Sequence, residues 1–247
     1  MRPTHLRCIP CVLAMFALAP VFARDGWVNL LSGDKIDNWR SATSEDFPKK
    51  GWTLMDGILT VHATRGEESG GGGDIISRKR YANFELLADF KTTPNANSGI
   101  KIFVQPNISP VDKETGKPTA AGSAIGMEFQ ILDDERHPDA KLGRDGDRTI
   151  GSLYDLIPAA KDKKVMPVGE WNHARILSQG RHVTFWLNGE KTVEFERGSS
   201  EFRAAVALSK FKDIPNFGEW PDGHILLQDH GDQVSFRNVK IRELAAQ

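Results

Sequence analysis

Apolar and polar residues alternate along most of this chain, and Gly, Asn, Asp and Pro interrupt the alternation at short intervals. A period of two is the strand signature, because successive side chains leave opposite faces. Such runs cover residues 58–62, 84–90, 99–104, 126–131, 172–177, 182–187, 191–195, 223–227 and 234–242. Asn188-Gly189 separates two of them and suits a type I′ hairpin turn. Asp56-Gly57 marks a turn before the first run. No long segment has a helical period with caps. The pattern predicts an all-β protein, an antiparallel two-sheet β-sandwich with its first and last strands in one sheet. Residues 24–247 show no repeat and no linker, so one domain is expected. Residues 70–73 read as a flexible loop tip, and 106–122 as an insertion between strands.

Alternation also sorts side chains by face. Met127, Phe129 and Ile131 share one face of their strand, and Glu128 and Gln130 share the other. Lys101 and Phe103 oppose Ile100, Ile102 and Val104. If the two strands are neighbours, Lys101 and Glu128 meet on one surface. A solvated outer face carries such residues routinely, so this cluster alone decides nothing. The run at 223–227 ends directly in Gln228-Asp229-His230-Gly231-Asp232. Imidazole has an unperturbed pKa near neutrality, and a neighbouring carboxylate can raise it and orient the ring. The same letters are good turn chemistry. Two polar clusters at strand positions in one chain favour a site over a turn.

Composition narrows the function classes. Arg2 and Arg7 precede an apolar run at 9–18 and a small-residue cleavage pattern at 21–23. This reads as a signal peptide over residues 1–23, and a periplasmic or secreted location is expected. The apolar run is too short to span a bilayer, and no second span follows. Cys8 and Cys11 fall within that segment, so the remainder has no disulfide and rests on its core. Lys and Arg total 32 against 33 Asp and Glu, which offers no clustered basic surface for nucleic acid. The loop 133–147 is dense in carboxylates, yet it lacks EF-hand spacing. A divalent cation there, or one held by His137 with His230, stays an open option. Trp171 and Trp186 lie in strand context and read as core. Trp220, in the irregular stretch 215–221, is the better ring for stacking on a sugar. No nucleophile elbow, phosphate loop or dinucleotide fingerprint is present.

Several blocks occur in a familiar order. Gly26-Trp27 with Trp39, Trp52-x-x-x-Asp56-Gly57-x-Leu59, Asn97-Ser98-Gly99, Glu128-x-Gln130-x-x-Asp133, Gly151-Ser152-Leu153-Tyr154, Gly169-Glu170-Trp171-Asn172 and Gln228-Asp229-His230-Gly231 resemble the 3-keto-disaccharide hydrolase domain family. The resemblance spans nearly the whole chain after residue 23. It implies a concanavalin A-like jelly roll and exported breakdown of glycosides oxidised to a ketone at carbon 3. It also implies a separate sugar 3-dehydrogenase upstream. Met127, Phe129 and Lys101 depart from residues common in the family, and Lys101 stands where many members carry an aromatic.

Keto-sugar chemistry explains these residue types. A ketone at carbon 3 acidifies the proton on carbon 2. A base removes it, the enolate expels the group on carbon 1, and water adds across the double bond. The route needs a base, a partner for the enolate oxygen, and an acid for the leaving group. His230, Glu128 and Asp133 are the candidate acid–base residues. Lys101, Tyr154 or a cation would steady the enolate. Gln130, Arg136, His137, Trp220, Gln228 and Asp229 complete the expected carbohydrate contacts. The rival reading is a lectin-like module without catalysis, which needs mainly aromatics and amides rather than titratable groups. An ordinary β-glucanase would show Glu-x-Asp-x-Glu on one strand, and that pattern is absent.

Overall fold

The computed structural model describes residues 26–31, 35–109 and 123–246. The signal-peptide segment lies outside the described residues, as does most of the insertion. In chain order the strands are β1 (Trp27–Asn29), β2 (Trp39–Ser41), β3 (Trp52–Met55), β4 (Ile58–Val61), β5 (Ile75–Ser77), β6 (Phe84–Thr92), β7 (Asn97–Gln105) and β8 (Ile125–Leu132). There follow β9 (Asn172–Gln179), β10 (His182–Leu187), β11 (Glu190–Glu196), a helix α1 (Ser200–Ala207), β12 (His224–Leu227) and β13 (Val234–Glu243). One sheet runs β11-β10-β9-β6-β13-β4-β3, with β1 also pairing β13. The other runs β2-β5-β12-β7-β8. Every pairing is antiparallel, and Trp27 stands opposite Arg242, so the first and last strands do share a sheet.

The alternation works as expected at the core. Phe84, Leu86, Ala88 and Phe90 of β6 pack with Val183, Phe185 and Leu187 of β10 and with Met127, Phe129 and Ile131 of β8. Burying each large side chain contributes about 1.5–3 kcal/mol, which suits a chain stabilised by its apolar interior. The two predicted turns take left-handed backbone, with Asn188 at φ 50° and Asp56 at φ 52°.

Strand β7 departs from simple alternation. Phe103 sits at φ 55°, and the β7–β8 register shifts between Ile102 and Gln105. This bulge turns Phe103 into the core beside Ile100 and Ile102, while Val104 faces Ile76 and Leu226 on the outer side. Lys101 therefore does not share a face with Phe103. Gly223 makes the bulge possible, since a Cβ there would lie 2.3 Å from Phe103 Cα.

One short helix adds to the strands, and two other expectations are corrected. Helix α1 exists, capped by Ser199 Oγ accepting from Phe202 N at 3.1 Å. Phe202 is its one buried residue, too little to write a helical period. Trp171 and Trp186 are half-buried rather than core, with Arg237 and Arg175 guanidinium groups over their rings at 4.1 Å in each case. The glycine loop is pinned, because Gly72 N and Gly73 N donate to Asp229 Oδ2 at 3.1 and 3.0 Å, and Trp52 Nε1 donates to Gly73 O.

Candidate active site

The outer face of the five-stranded sheet carries a pocket of about 240 Å³. Its floor comes from β7, β8 and the end of β12, through Asn97, Lys101, Glu128, Gln130 and Gln228, with His230 beyond the strand end. Register explains the meeting. Lys101 pairs with Glu128 and Gly99 with Gln130, so alternation brings both strands' polar residues to one surface. β12 lies on the other side of β7 and delivers Gln228 and His230 there.

Glu128 is 5% exposed and lies 3.7 Å from Lys101 Nζ. Burial pushes its carboxyl above the ordinary value. Lys101, Lys210 and His230 pull it back down, and Asp74 pushes it up again. Gln130's amide lies between Asn97 Oδ1 at 3.3 Å and Glu128 Oε1 at 3.2 Å, and its nitrogen serves whichever it faces. Lys101 Nζ also donates to Ser123 Oγ, and to Ala124 O at 3.3 Å. Ser123 in turn donates to Asp74 Oδ2. Asp74 is buried, and burial raises its pKa against the opposing pull of Lys101 and Ser123. The sheet thus holds two carboxyl groups around one lysine.

His230 leaves β12 in a tight turn closed by Gly231 at φ 93°. Asn97 Nδ2 and His230 Nε2 are hydrogen-bonded at 3.3 Å, which orients the ring. His137 meets it edge-on, ring centres 6.4 Å apart. Burial lowers the His137 pKa. His137 Nδ1 accepts from Asp139 N at 3.2 Å, which fixes the ring at the start of a short 3-10 turn.

Beyond the strands the pocket is lined by Tyr154, whose backbone N donates to Glu128 O at 3.0 Å, and by Lys210, Phe211 and Ile214. Tyr154 OH donates to Asp139 Oδ2 at 3.0 Å, and burial with Asp139 nearby raises its pKa. Lys210 is an exposed residue whose ammonium lies 4.3 Å from the Tyr154 ring centre. The surrounding protein lowers its pKa, with Glu128 pulling upward.

The structure brings together six of the expected residues: His230, Glu128, Lys101, Gln130, Tyr154 and Gln228. It gives four others different tasks. Asp133 is tied by Asn95 N at 2.8 Å and Arg136 at 3.1 Å, and although burial raises its carboxyl, these partners hold it below the usual range. It does not line the pocket, which removes its advantage as a base. Arg136 spends its charge on Asp133 and Glu135. Trp220 packs against the core and edge-on to Phe217, 5.9 Å between centres, away from the pocket lining. Asp229 is 0% exposed and accepts from Gly72, Gly73 and Gly231 backbone N–H groups. Asp229 thus folds the turn that presents His230. Asp229→Ala leaves those donors unpaired and should cost about 3 kcal/mol of stability, read as a lower urea midpoint. An unchanged midpoint would contradict this role.

Carboxylates of the 133–147 loop are paired with protein groups just beyond it. Asp134 accepts from Ile150 N and pairs Lys163, and Asp139 pairs Arg148. Among the described residues no cluster of three or more His, Cys, Asp or Glu is arranged to hold a metal. Asn97, Ser123, Lys210 and Phe211 line the pocket, with Asp74 behind Ser123, and sequence reasoning missed all five.

Comparison with known proteins identifies the family. The profile of the 3-keto-alpha-glucoside-1,2-lyase-like domain matches residues 26–242. A 3-keto-disaccharide hydrolase of Bacteroides thetaiotaomicron is 33% identical over 236 residues, covering 89% of this chain and 79% of its own. A solved structure from Parabacteroides distasonis, provisionally assigned as a glycosyl hydrolase, is 29% identical with a TM-score of 0.71, covering 89% of this chain and 95% of that one. A Bacillus subtilis protein with a galectin-like fold is 12% identical at a TM-score of 0.50, covering 90% of this chain and 96% of that one, and shares the sandwich alone. The chain belongs to the 3-keto-alpha-glucoside-1,2-lyase-like family and is a glycoside-cleaving enzyme.

Proposed function

We propose that this enzyme acts on glycosides whose sugar ring carries a ketone at carbon 3, and that it cleaves them by elimination and hydration. The observation that carries this reading is Glu128: a buried carboxylate on the pocket floor, raised in pKa, beside a buried lysine and within electrostatic reach of His230. A carboxylate raised toward neutrality is suited to taking a carbon-bound proton. A lectin would need no such group.

In the proposed sequence Glu128 removes the proton from carbon 2. The C–H electron pair forms a C2–C3 double bond, and the ketone oxygen becomes an enolate. The enolate collapses, the ketone reforms, a C1–C2 double bond forms and the C1–O bond breaks. His230 supplies a proton to the departing oxygen. Water then adds its oxygen to carbon 1 and a proton to carbon 2. Supply of the substrate requires a dehydrogenase acting at carbon 3, and the expected compartment is the periplasm or the exterior.

The test compares a 3-keto-glucoside with its unoxidised parent. Release of aglycone from the keto sugar and not from the parent is expected. His230→Ala should slow it about a hundredfold, within the usual span of acid–base catalysis. Equal cleavage of both sugars, or full activity in a folded His230→Ala protein, would reject the reading.

A further inference from the structure

Lys101 and Tyr154, the two side chains that keto-sugar chemistry first suggests for the enolate oxygen, are both occupied. Lys101 is 6% exposed, with Nζ held by Ser123, Ala124 O and Glu128. Tyr154 gives its hydroxyl proton to Asp139. Neither can turn to a ligand without breaking a buried contact. The pocket has another cation. Lys210 lines it too, on the segment after α1, with its ammonium over the ring of Tyr154, whose backbone N donates to Glu128 O.

Lys210 is placed by the protein, not left adrift as a surface lysine. Its backbone N donates to Asp155 Oδ2 at 2.7 Å. Asp155 is buried and fixed in turn by Arg148 Nε at 2.8 Å. Ser209 Oγ accepts from Phe211 N at 3.0 Å, which closes the backbone around it. The ammonium rests over the Tyr154 ring at 4.3 Å and over Phe211 at 5.3 Å. Two aromatic faces hold the charge without consuming an N–H, because a ring accepts by its π-face. The field of this cation acts on Glu128 across the pocket.

A sugar ring in the pocket then has both Glu128 and Lys210 among the groups that line it. Resting on the reading of a 3-keto substrate, we propose that Lys210 is the catalytic electrophile: its ammonium donates a hydrogen bond to the carbon 3 ketone and holds the enolate oxygen while Glu128 takes the carbon 2 proton. Carbon 2 and the ketone oxygen are separated by one carbon, so a base and a cation that line one small pocket suit them. Charge that develops on that oxygen is what a fixed donor stabilises most. Lys210 stands at the solvent-exposed rim, so its contribution is below that of a fully enclosed donor.

The experiment isolates enolate formation. A 3-keto-1,5-anhydroglucitol has the ketone and the carbon 2 proton but no aglycone, so exchange of that proton is read without glycoside cleavage. Exchange in D2O is followed by NMR for the wild type, Lys210→Met, Lys210→Arg and Glu128→Gln. Wild-type exchange is expected. It should fall about thirtyfold in Lys210→Met, with partial recovery in Lys210→Arg. With the full keto-glucoside, kcat should fall more than KM rises. The alkaline limb of the kcat profile should also shift or vanish in Lys210→Met. Wild-type exchange that persists undiminished in Lys210→Met overturns the role of Lys210 and leaves the keto-sugar reading standing. A wild type that exchanges nothing while cleaving the keto-glucoside overturns the enolate route itself, and Lys210 as its electrophile with it.

Discussion

Glu128→Gln should lower turnover of a 3-keto-glucoside by about a thousandfold or more, inside the range that acid–base groups supply. Glutamine keeps the shape of the side chain and removes only its basicity. The fold should survive, because a neutral amide costs less to bury than the carboxylate it replaces. Lys101 retains Ser123 and Ala124 O as partners. The same reasoning fixes a pH dependence. Burial raises the Glu128 pKa, and only its ionised form can accept a proton. Wild-type kcat/KM should therefore fall with decreasing pH at a value above that of an ordinary carboxylate. A fully active glutamine variant would dismiss Glu128 as the base. An acid limb at or below the ordinary carboxylate range would dismiss burial as the tuning force.

Much of this site was legible because strands write their geometry into alternation. Glu128 and Gln130 interrupt an apolar run every second residue, and Lys101 does the same one strand away. The pairing of Lys101 with Glu128 required only that the strands be neighbours, and they are. His230 was legible as a polar residue at a strand exit. Phe103 was not, because a bulge with positive φ breaks the period locally and leaves no mark in composition. Asp229 was misread for a related reason. Next to His230 it has the chemistry of a site residue, and only the folded chain shows glycine N–H groups converging on it from residues 72 and 73.

Lys210 marks the deeper limit. It follows an eight-residue helix with one buried side chain, in a stretch without period. Its place in the pocket comes from Asp155, 55 positions earlier, whose carboxylate holds its backbone. No local pattern encodes such a long-range hydrogen bond. The tryptophans fail in the other direction. Trp171 and Trp186 look like core by residue type, yet Arg237 of β13 and Arg175 of β9 cover their rings at the surface. A cation over the ring stabilises a half-buried indole that hydrophobicity alone would place inside.

The cavity's shape depends on an absent side chain, and this gives the other large effect. A Cβ on Gly99 would lie 2.0 Å from Glu128 Oε1 and 2.7 Å from its carboxyl carbon. The backbone at Gly99 does not have positive φ, so alanine fits the strand itself. What it excludes is the present position of the carboxylate. Gly99→Ala must push that group more than 1 Å toward Lys101 or the pocket mouth to reach ordinary contact distance. Misplacement on this scale costs about a hundredfold or more, and a displaced base also loses its tuned surroundings. Several hundredfold is therefore expected in kcat, with a stability cost of about 1–3 kcal/mol from overpacking. The double variant Gly99→Ala/Glu128→Gln decides whether the effect runs through Glu128. If it does, the double variant should be no slower than Glu128→Gln alone, since there is no base left to misplace. Losses that multiply would mean that Gly99 acts on the substrate or the sheet directly. Full activity of the single alanine variant would mean that the carboxylate is not held where the structure places it.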